Sequence, residues 1–455
     1  MVTRRFILTA FGIGVTAALP ARAQMRRLPV VDVDLRGGID TAAPGPRAAS
    51  DDRASRAFER LLREAAARNE PVHLPAGDYV LSNIALPDGA RIIGVAGATR
   101  LLYGGGGHLF TGDGLARVAL ANLVIDGANR WLREDVEGLA HLRGVASAVI
   151  ENCEIRGSAK SGLALERSGG RVERNHISGA ADHGVYAMES RELSIAANTV
   201  SDCGNGGILV HRWQKGPDDT LVSGNRVSRI AATRGGTGQY GNGINIFRAD
   251  GVMVTGNHVS DCALSAIRAN AGSNVQIAGN TCLASGETAI FSEFGFEGAI
   301  VSGNLIDGAA NGIQIVNFDH GGRLATVTGN VVRNLRREGP YPPEGAGFGF
   351  GIAAEADTVV SGNTIENAPL WGLMLGWGPY MRGLVATGNL VRATPVGCAV
   401  TVVEGAGAAL ISANLFQETP QGAVVGFRWM ERATDDLVSG GTPPAHLTVA
   451  GNRSG

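Results

Sequence analysis

Helical periodicity is missing from most of this 455-residue chain, and aromatic residues, lysine and long apolar runs are scarce. Without an i, i+3, i+4, i+7 apolar pattern, helical bundles and helical solenoids are excluded for the body of the protein. Aromatics make up 5% of the residues against 67 glycines, a balance that favours thin layers and many turns. Cys153, Cys203, Cys262, Cys282 and Cys398 are odd in number and form no CxxC, which excludes a disulfide framework and a thiolate metal site. Lys160 and Lys215 are the only lysines, and the formal net charge is −2. Subtracting Arg4, Arg5 and Arg22 of the N-terminal segment takes it to −5, which speaks against nucleic acid as the partner. Ile7 to Leu19 is too short to span a bilayer as a permanent anchor, and after it no apolar stretch is long enough to cross a membrane.

What is present is an internal repeat. Asn122, Asn152, Asn175, Asn198, Asn225, Asn257, Asn280, Asn304, Asn330, Asn363, Asn389, Asn414 and Asn452 recur with a period of roughly 25 residues, the spacing of a solenoid. A β-branched run precedes each Asn, as in Val275-Gln276-Ile277. A second run opens on a small residue, as in Gly243-Ile244-Asn245-Ile246 and Gly312-Ile313-Gln314-Ile315. Short period-two strands of this kind stack in parallel from coil to coil, so the chain is all-β, a parallel β-helix of about 12 to 13 coils. The Asn residues are read as corner staples in left-handed conformation, bonded to the next coil, with the preceding Gly fitting the same bend. Cys203 and Cys262 share a register two coils apart, about 9.6 Å and beyond disulfide reach, and read as core fillers.

Three segments follow. Residues 1–23 carry Arg4-Arg5, the apolar stretch and Ala21-Arg22-Ala23, the marks of a twin-arginine signal peptide, so the mature chain is expected in the periplasm or outside the cell. Residues 24–115 form an N-terminal cap with the first coils. Their helix, about 51–69, has Ser50 as N-cap, acids Asp51 and Asp52, and an apolar face of Phe58, Leu61, Leu62 and Ala65. Residues 116–455 hold the repeats. The order of acidic pair, helix, Leu74-Pro75-Ala76-Gly77-Asp78-Tyr79 and Leu86-Pro87-Asp88-Gly89 resembles the cap of pectin-lyase-like right-handed β-helix proteins. With the leader, the repeats also resemble a family of twin-arginine-translocated repetitive proteins of undefined activity. That resemblance implies a right-handed coil and a helix closing its open end.

Strand alternation sends an outward column of Tyr186, His211, Asn245, Phe247, Arg268, Asn270, Phe291, Glu293, Gln314 and Glu355 to one face, flanked by Arg248, Asn317, Asp319 and His320. Insertions at 229–241 and 336–349 enter before second strands, and 213–219, 317–323 and 377–382 leave after them, bringing Trp213, Tyr240 and Trp377 among others. Loops on both margins imply a groove for an acidic polysaccharide. A lyase reaction there would use Arg268 or Arg248 on a uronate carboxylate, His211 or Tyr240 as base, and Glu293 or His320 as acid. The remaining residues would bind substrate.

The motifs of polygalacturonases and of alginate epimerases are absent, as is an identifiable calcium set, although calcium is compatible with this chemistry. A glycoside hydrolase or an epimerase is the lesser enzymatic option, and a noncatalytic polysaccharide-binding or envelope-organising module is the alternative. A metal-insertion scaffold has no ligand set, since His176 and His258 lie in separate coils. The segment 428–445 is left as an end cap or a partner contact.

Overall fold

The computed structural model describes residues 52–343 and 345–455; the signal segment, the stretch up to Asp51 and the proposed Ser50 cap lie outside the described residues. One helix, Asp52–Ala67, buries Phe58, Leu62 and Ala65 against the first coils, with Leu61 half-buried beside them. Its Ser55 Oγ accepts the Ser82 N–H at 3.1 Å, so the cap is joined to the solenoid by a buried polar contact as well as by packing.

From Val72 onward the chain winds through three sheets of 15 strands each, every strand but the last of one sheet paired in parallel with its counterpart one coil away. Sheet A holds the strands before the recurring Asn, sheet B those after it and sheet C the small-residue strands. One coil is Ser194–Ala196, Thr199–Cys203 and Gly206–Pro217. The protein is thus an all-β parallel β-helix of about 14 turns, slightly more than the Asn count implies. The difference lies at the N-terminal end, where the coils beginning at Val72 and Ala90 turn this corner without an Asn. There Thr99 does the stapling: its Oγ accepts the Val95 N–H at 2.9 Å and reaches the Pro75 carbonyl at 2.9 Å.

Registers in sheet C are unbroken through the core, with Leu163, Val185, Ile208, Ile244, Ile267, Ile290, Ile313 and Ile352 stacked inward. The glycine that opens such a strand is there for space. A side chain at Gly312 would collide with the Gly351 carbonyl and Val332, where sheet C turns in from sheet B. Cys203, Ile230 and Cys262 share one register, and all five cysteines are buried free thiols.

From Asn175 to Asn452 the ladder is continuous. Each Asn donates its side-chain amide to a core carbonyl, as Asn280 does to Val254 at 3.0 Å. From Asn198 on, its Oδ1 accepts both the backbone and the side-chain N–H of the Asn one coil earlier, as Asn280 does from Asn257. The left-handed conformation belongs to the residue before it and not to the Asn: Arg174, Ala197, Gly224, Gly256, Gly279 and their successors carry φ near 60°. Only Asn122 and Asn152, at the start, are themselves left-handed, at φ 58° and 51°, and they lie outside the buried ladder. A non-glycine residue is disfavoured there because its Cβ crowds the following carbonyl. Ala197→Gly is therefore expected to stabilise the protein by about 1 kcal/mol in urea titration; a loss would mean that the Ala197 methyl packs more than its backbone strains.

The C-terminal segment has a structural role. Glu431–Asp436 turns back and pairs antiparallel with Val424–Arg428, ending sheet C on a strand of opposite direction. That closes an edge which an open parallel sheet would offer to another chain. Among the described residues no helix is long and apolar enough to cross a membrane.

Candidate functional site

The outer face of sheet C carries two adjacent columns. Tyr186, Leu209, Asn245, Arg268, Phe291 and Gln314 form one; Met188, His211, Phe247, Asn270 and Glu293 form the other. Strand pairing puts these side chains on neighbouring rungs, and the loops decide which of them face solvent.

In the middle rungs the loops close over the sheet. Arg268 lies beneath Thr237 and Gly238, donating to the Thr237 carbonyl at 3.3 Å. It forks onto Glu293 at 2.6 and 2.9 Å and reaches Glu287 at 3.4 Å. Asn270 donates to Glu293 at 2.7 Å, Ser265 to Glu287 at 3.2 Å, and the Tyr341 hydroxyl also donates to Glu287. All three charged groups are buried. Burial works against the Arg268 charge, and Glu293 and Glu287 more than offset it, so its pKa stands above the ordinary arginine value. Burial raises Glu287, with Arg268 and Tyr341 opposing. Arg268 and Glu293, expected as carboxylate binder and acid, are thus paired with each other in this structure. Glu287 and Tyr341, central to this cluster, were invisible in the outward pattern because Glu287 precedes its strand and Tyr341 comes from an insertion 54 residues away.

Further along, Glu355 accepts the Phe318 N–H at 2.7 Å and so fixes the turn Phe318–His320, where Asn317 is left-handed at φ 69°. His320 is exposed and sits 3.1 Å from Asp319, with its ring edge-on to Phe294. It is not gathered with Arg268 or His211 by any contact. Burial pushes the Glu355 carboxyl up to about 7. The native state then holds a proton that the unfolded chain releases from about pH 4.5 upward, so this group's contribution to stability is complete below that pH and is lost as pH rises through about 7. Glu355→Gln keeps the acceptor and removes the charge. We expect it to raise stability by about 2–3 kcal/mol at alkaline pH and to change little in acid, read by thermal unfolding across pH.

Toward the N-terminal rungs aromatic and polar groups converge. His183 stacks on Tyr186 with centroids 5.3 Å apart, and Tyr186 meets His211 edge-on at 6.1 Å. His211 contacts Trp213 at 4.5 Å and Phe247 at 5.0 Å. Asp182 lies 3.3 Å from His183 Nδ1 and 3.1 Å from Arg234, which in turn covers the Tyr240 ring at 5.6 Å. Among the described residues the buried atoms His211 Nε2 and Asn245 Oδ1 have no hydrogen-bond partner, whereas His183 Nδ1 faces Asp182 at 3.3 Å and His141 Nε2 faces Glu166 at 3.7 Å. Burial pulls His211 down to about 4, with Glu189 opposing, and pushes Tyr186 up to about 12, helped by Glu137, Asp182 and Glu166. Both are thus neutral near pH 7. Sequence reasoning found His211, Tyr240 and Tyr186, weighed Asp182-His183-Gly184 only against the polygalacturonase motif, and passed over Arg234 and His141; the unusual density of His in rungs before Asn245 was the available signal.

One margin of this patch is a wall. The extension of Gly206–Pro217 carries the exposed Trp213, its carbonyl accepts Arg248 at 2.7 Å, and Lys215 reaches the Gly295 carbonyl at 2.5 Å three rungs on. Arg248 also lies over the Phe247 ring at 4.8 Å. Between wall and roof a narrower floor stays half-exposed, made of Phe247, Asn270, Phe291 and Gln314, with Asn317 and Asp319 at its end. Trp377 stands apart, against Trp429 at 5.3 Å. Among the described residues no three His, Cys, Asp or Glu side chains gather as a metal set.

A family model described as right handed beta helix region matches residues 134–238 and 213–332. The coil is right-handed. Among solved structures, a PL6 alginate lyase in complex with a trisaccharide is 15% identical, with a TM-score of 0.51 over 89% of this chain and 93% of that one. The A-module of mannuronan C-5 epimerase AlgE6 from Azotobacter vinelandii is 15% identical, with a TM-score of 0.47 over 91% of this chain and 98% of that one. Tailspike protein 3 of bacteriophage CBA120 is also 15% identical, with a TM-score of 0.49; the match covers 91% of this chain but only 60% of the tailspike. At these identities the likeness is one of fold. No curated protein matches the sequence.

Proposed function

We propose that this protein binds an extended acidic polysaccharide along sheet C and abstracts a proton beside a uronate carboxylate at the Tyr186–His211 patch. The observation that supports the reading is a half-buried cluster in which His211, set between Tyr186, Trp213 and Phe247, keeps a ring nitrogen without a hydrogen-bond partner. Buried polar atoms normally have partners, and here the fold supplies none.

In the elimination, His211 takes the proton from C5 and the electron pair forms the C4–C5 double bond. The C4–O bond breaks, and Tyr186 protonates the departing oxygen. Arg248, free of carboxylate partners and lying at the wall, neutralises the uronate. Return of a proton to the opposite face of C5, with the C4–O bond left intact, would instead give an epimer. The alginate lyase and the epimerase module that share the fold act on polymers of this class by their names, which is consistent with the reading. With this substrate class and the expected twin-arginine segment goes the proposal that the protein acts outside the cytoplasm, which cell fractionation tests.

The test is incubation of the purified protein with a panel of acidic polysaccharides, with and without calcium. Absorbance of unsaturated uronates, new reducing ends, C5 configuration by NMR and direct binding are followed together. Unsaturated product or epimer supports the reaction. Saturable binding without either removes the chemistry and keeps a noncatalytic glycan module; no binding across the panel removes the glycan as partner.

A further inference from the structure

The C-terminal end of sheet C carries an aromatic ledge that none of the chemistry above uses. Two tight turns meet there. Trp377 and Tyr380 close one through paired backbone bonds, and Arg428 and Glu431 close the other around Trp429 and Met430. The Trp429 ring lies over Gly378, where any side chain would collide with it, and edge-on to Trp377 at 5.3 Å. Phe427 leans on Trp371 at 4.9 Å behind them.

Two features separate this ledge from an ordinary apolar cap. Trp429 is 46% exposed, and its backbone is left-handed at φ 56°, a conformation that a bulky residue holds only against strain. Glycine is the residue that such a two-residue hairpin turn prefers. The turns are also stiffened from outside the ring cluster: Thr401 Oγ donates to the Gly378 carbonyl at 2.6 Å, and Arg428 forks onto Glu404 at 2.7 and 2.8 Å. A large ring is thus presented to solvent on a rigid mount, with a polar ion pair alongside.

We infer that Trp429, supported by Trp377, is a remote subsite that stacks one pyranose ring of the polysaccharide bound on sheet C. The electron-rich face of an indole attracts the partly positive C–H bonds on the flat face of a sugar ring, and the exposed Arg428–Glu404 pair offers partners for its hydroxyls. The inference rests on the glycan reading of the same sheet. The strand of His211 and the strand of Phe427 are eight rungs apart, about 38 Å at ~4.8 Å per rung, so one chain touches both only if it is long.

Trp429→Gly separates the possibilities, because it removes the ring while relieving the backbone. Binding is measured by calorimetry with short and long fragments, about four and about twelve sugars, of whichever panel polysaccharide binds the wild type. The expected result is an unchanged or higher Tm, affinity for the long fragment reduced about tenfold, and affinity for the short fragment unchanged. Equal affinity of variant and wild type for the long fragment overturns the subsite and leaves the main groove standing. A lower Tm with unchanged affinity shows the ring to be a cap only. A wild type that binds no fragment removes the glycan reading, and the subsite with it.

Discussion

Arg268→Met is expected to destabilise the protein by about 3–5 kcal/mol in urea-induced unfolding, the loss typical of breaking a buried ion cluster from one side. Glu293 and Glu287 would be left buried with their charge uncompensated, 2% and 1% exposed, under loops that offer them only Asn270, Ser265 and Tyr341. Because Arg268 also ties the Thr237 carbonyl to the sheet, the segment around Thr237 and Gly238 should exchange its amide hydrogens faster in the variant. Adding Glu287→Gln and Glu293→Gln to Arg268→Met removes both stranded charges and should recover more than half of the loss. A single-variant loss below about 1 kcal/mol would show the cluster to be solvated in solution, and Arg268 would return as a ligand for substrate carboxylates.

Tyr186→Phe and His211→Gln are each expected to lower turnover by about 10²–10⁴-fold on a substrate that the wild type cleaves or epimerises, the usual worth of a positioned acid or base. Tyr186→Phe removes one oxygen whose only recorded partner is the Met188 sulfur at 3.4 Å, so its Tm should stay near wild type and the loss should fall on kcat. His211→Gln keeps a polar group between Trp213 and Phe247. The pH profile adds a second readout. Since burial holds His211 neutral down to about 4, the acidic limb of kcat/KM should lie near pH 4, well below an ordinary imidazole, and should vanish in the variant. Full activity in both variants would move any reaction away from this patch, with Tyr240 and His183 next in line.

Much of the architecture was legible because it is repetitive and local. A corner that recurs every coil leaves an Asn at a fixed place, and alternation along three or four residues settles which side chains enter the core. Even so, the Asn were credited with a backbone conformation that belongs to Arg174, Ala197 and the glycines before them. A residue-type preference for left-handed φ cannot tell which of two neighbours at a bend adopts it. The first coils escaped counting because Thr99 staples their corner through a hydroxyl.

The candidate site was legible as a face and not as a set of contacts. Strand register placed Tyr186, His211, Asn245, Phe247, Arg268 and Glu293 on one sheet surface, yet an arginine in an outward column has the same sequence signature whether it meets a ligand or a buried glutamate. Glu293 is 25 residues from Arg268 and came with the register; Thr237 and Tyr341 come from insertions whose paths no repeat constrains. By itself the sequence determined the solenoid, its ladder and the face on which polar residues gather, since each coil repeats the same short-range pattern. Only the tertiary structure decided that the centre of that face is roofed and neutralised while the imidazole of His211, farther along, keeps a nitrogen without a hydrogen-bond partner. That outcome depends on where long insertions fold back, and their course is set by contacts far apart in the chain.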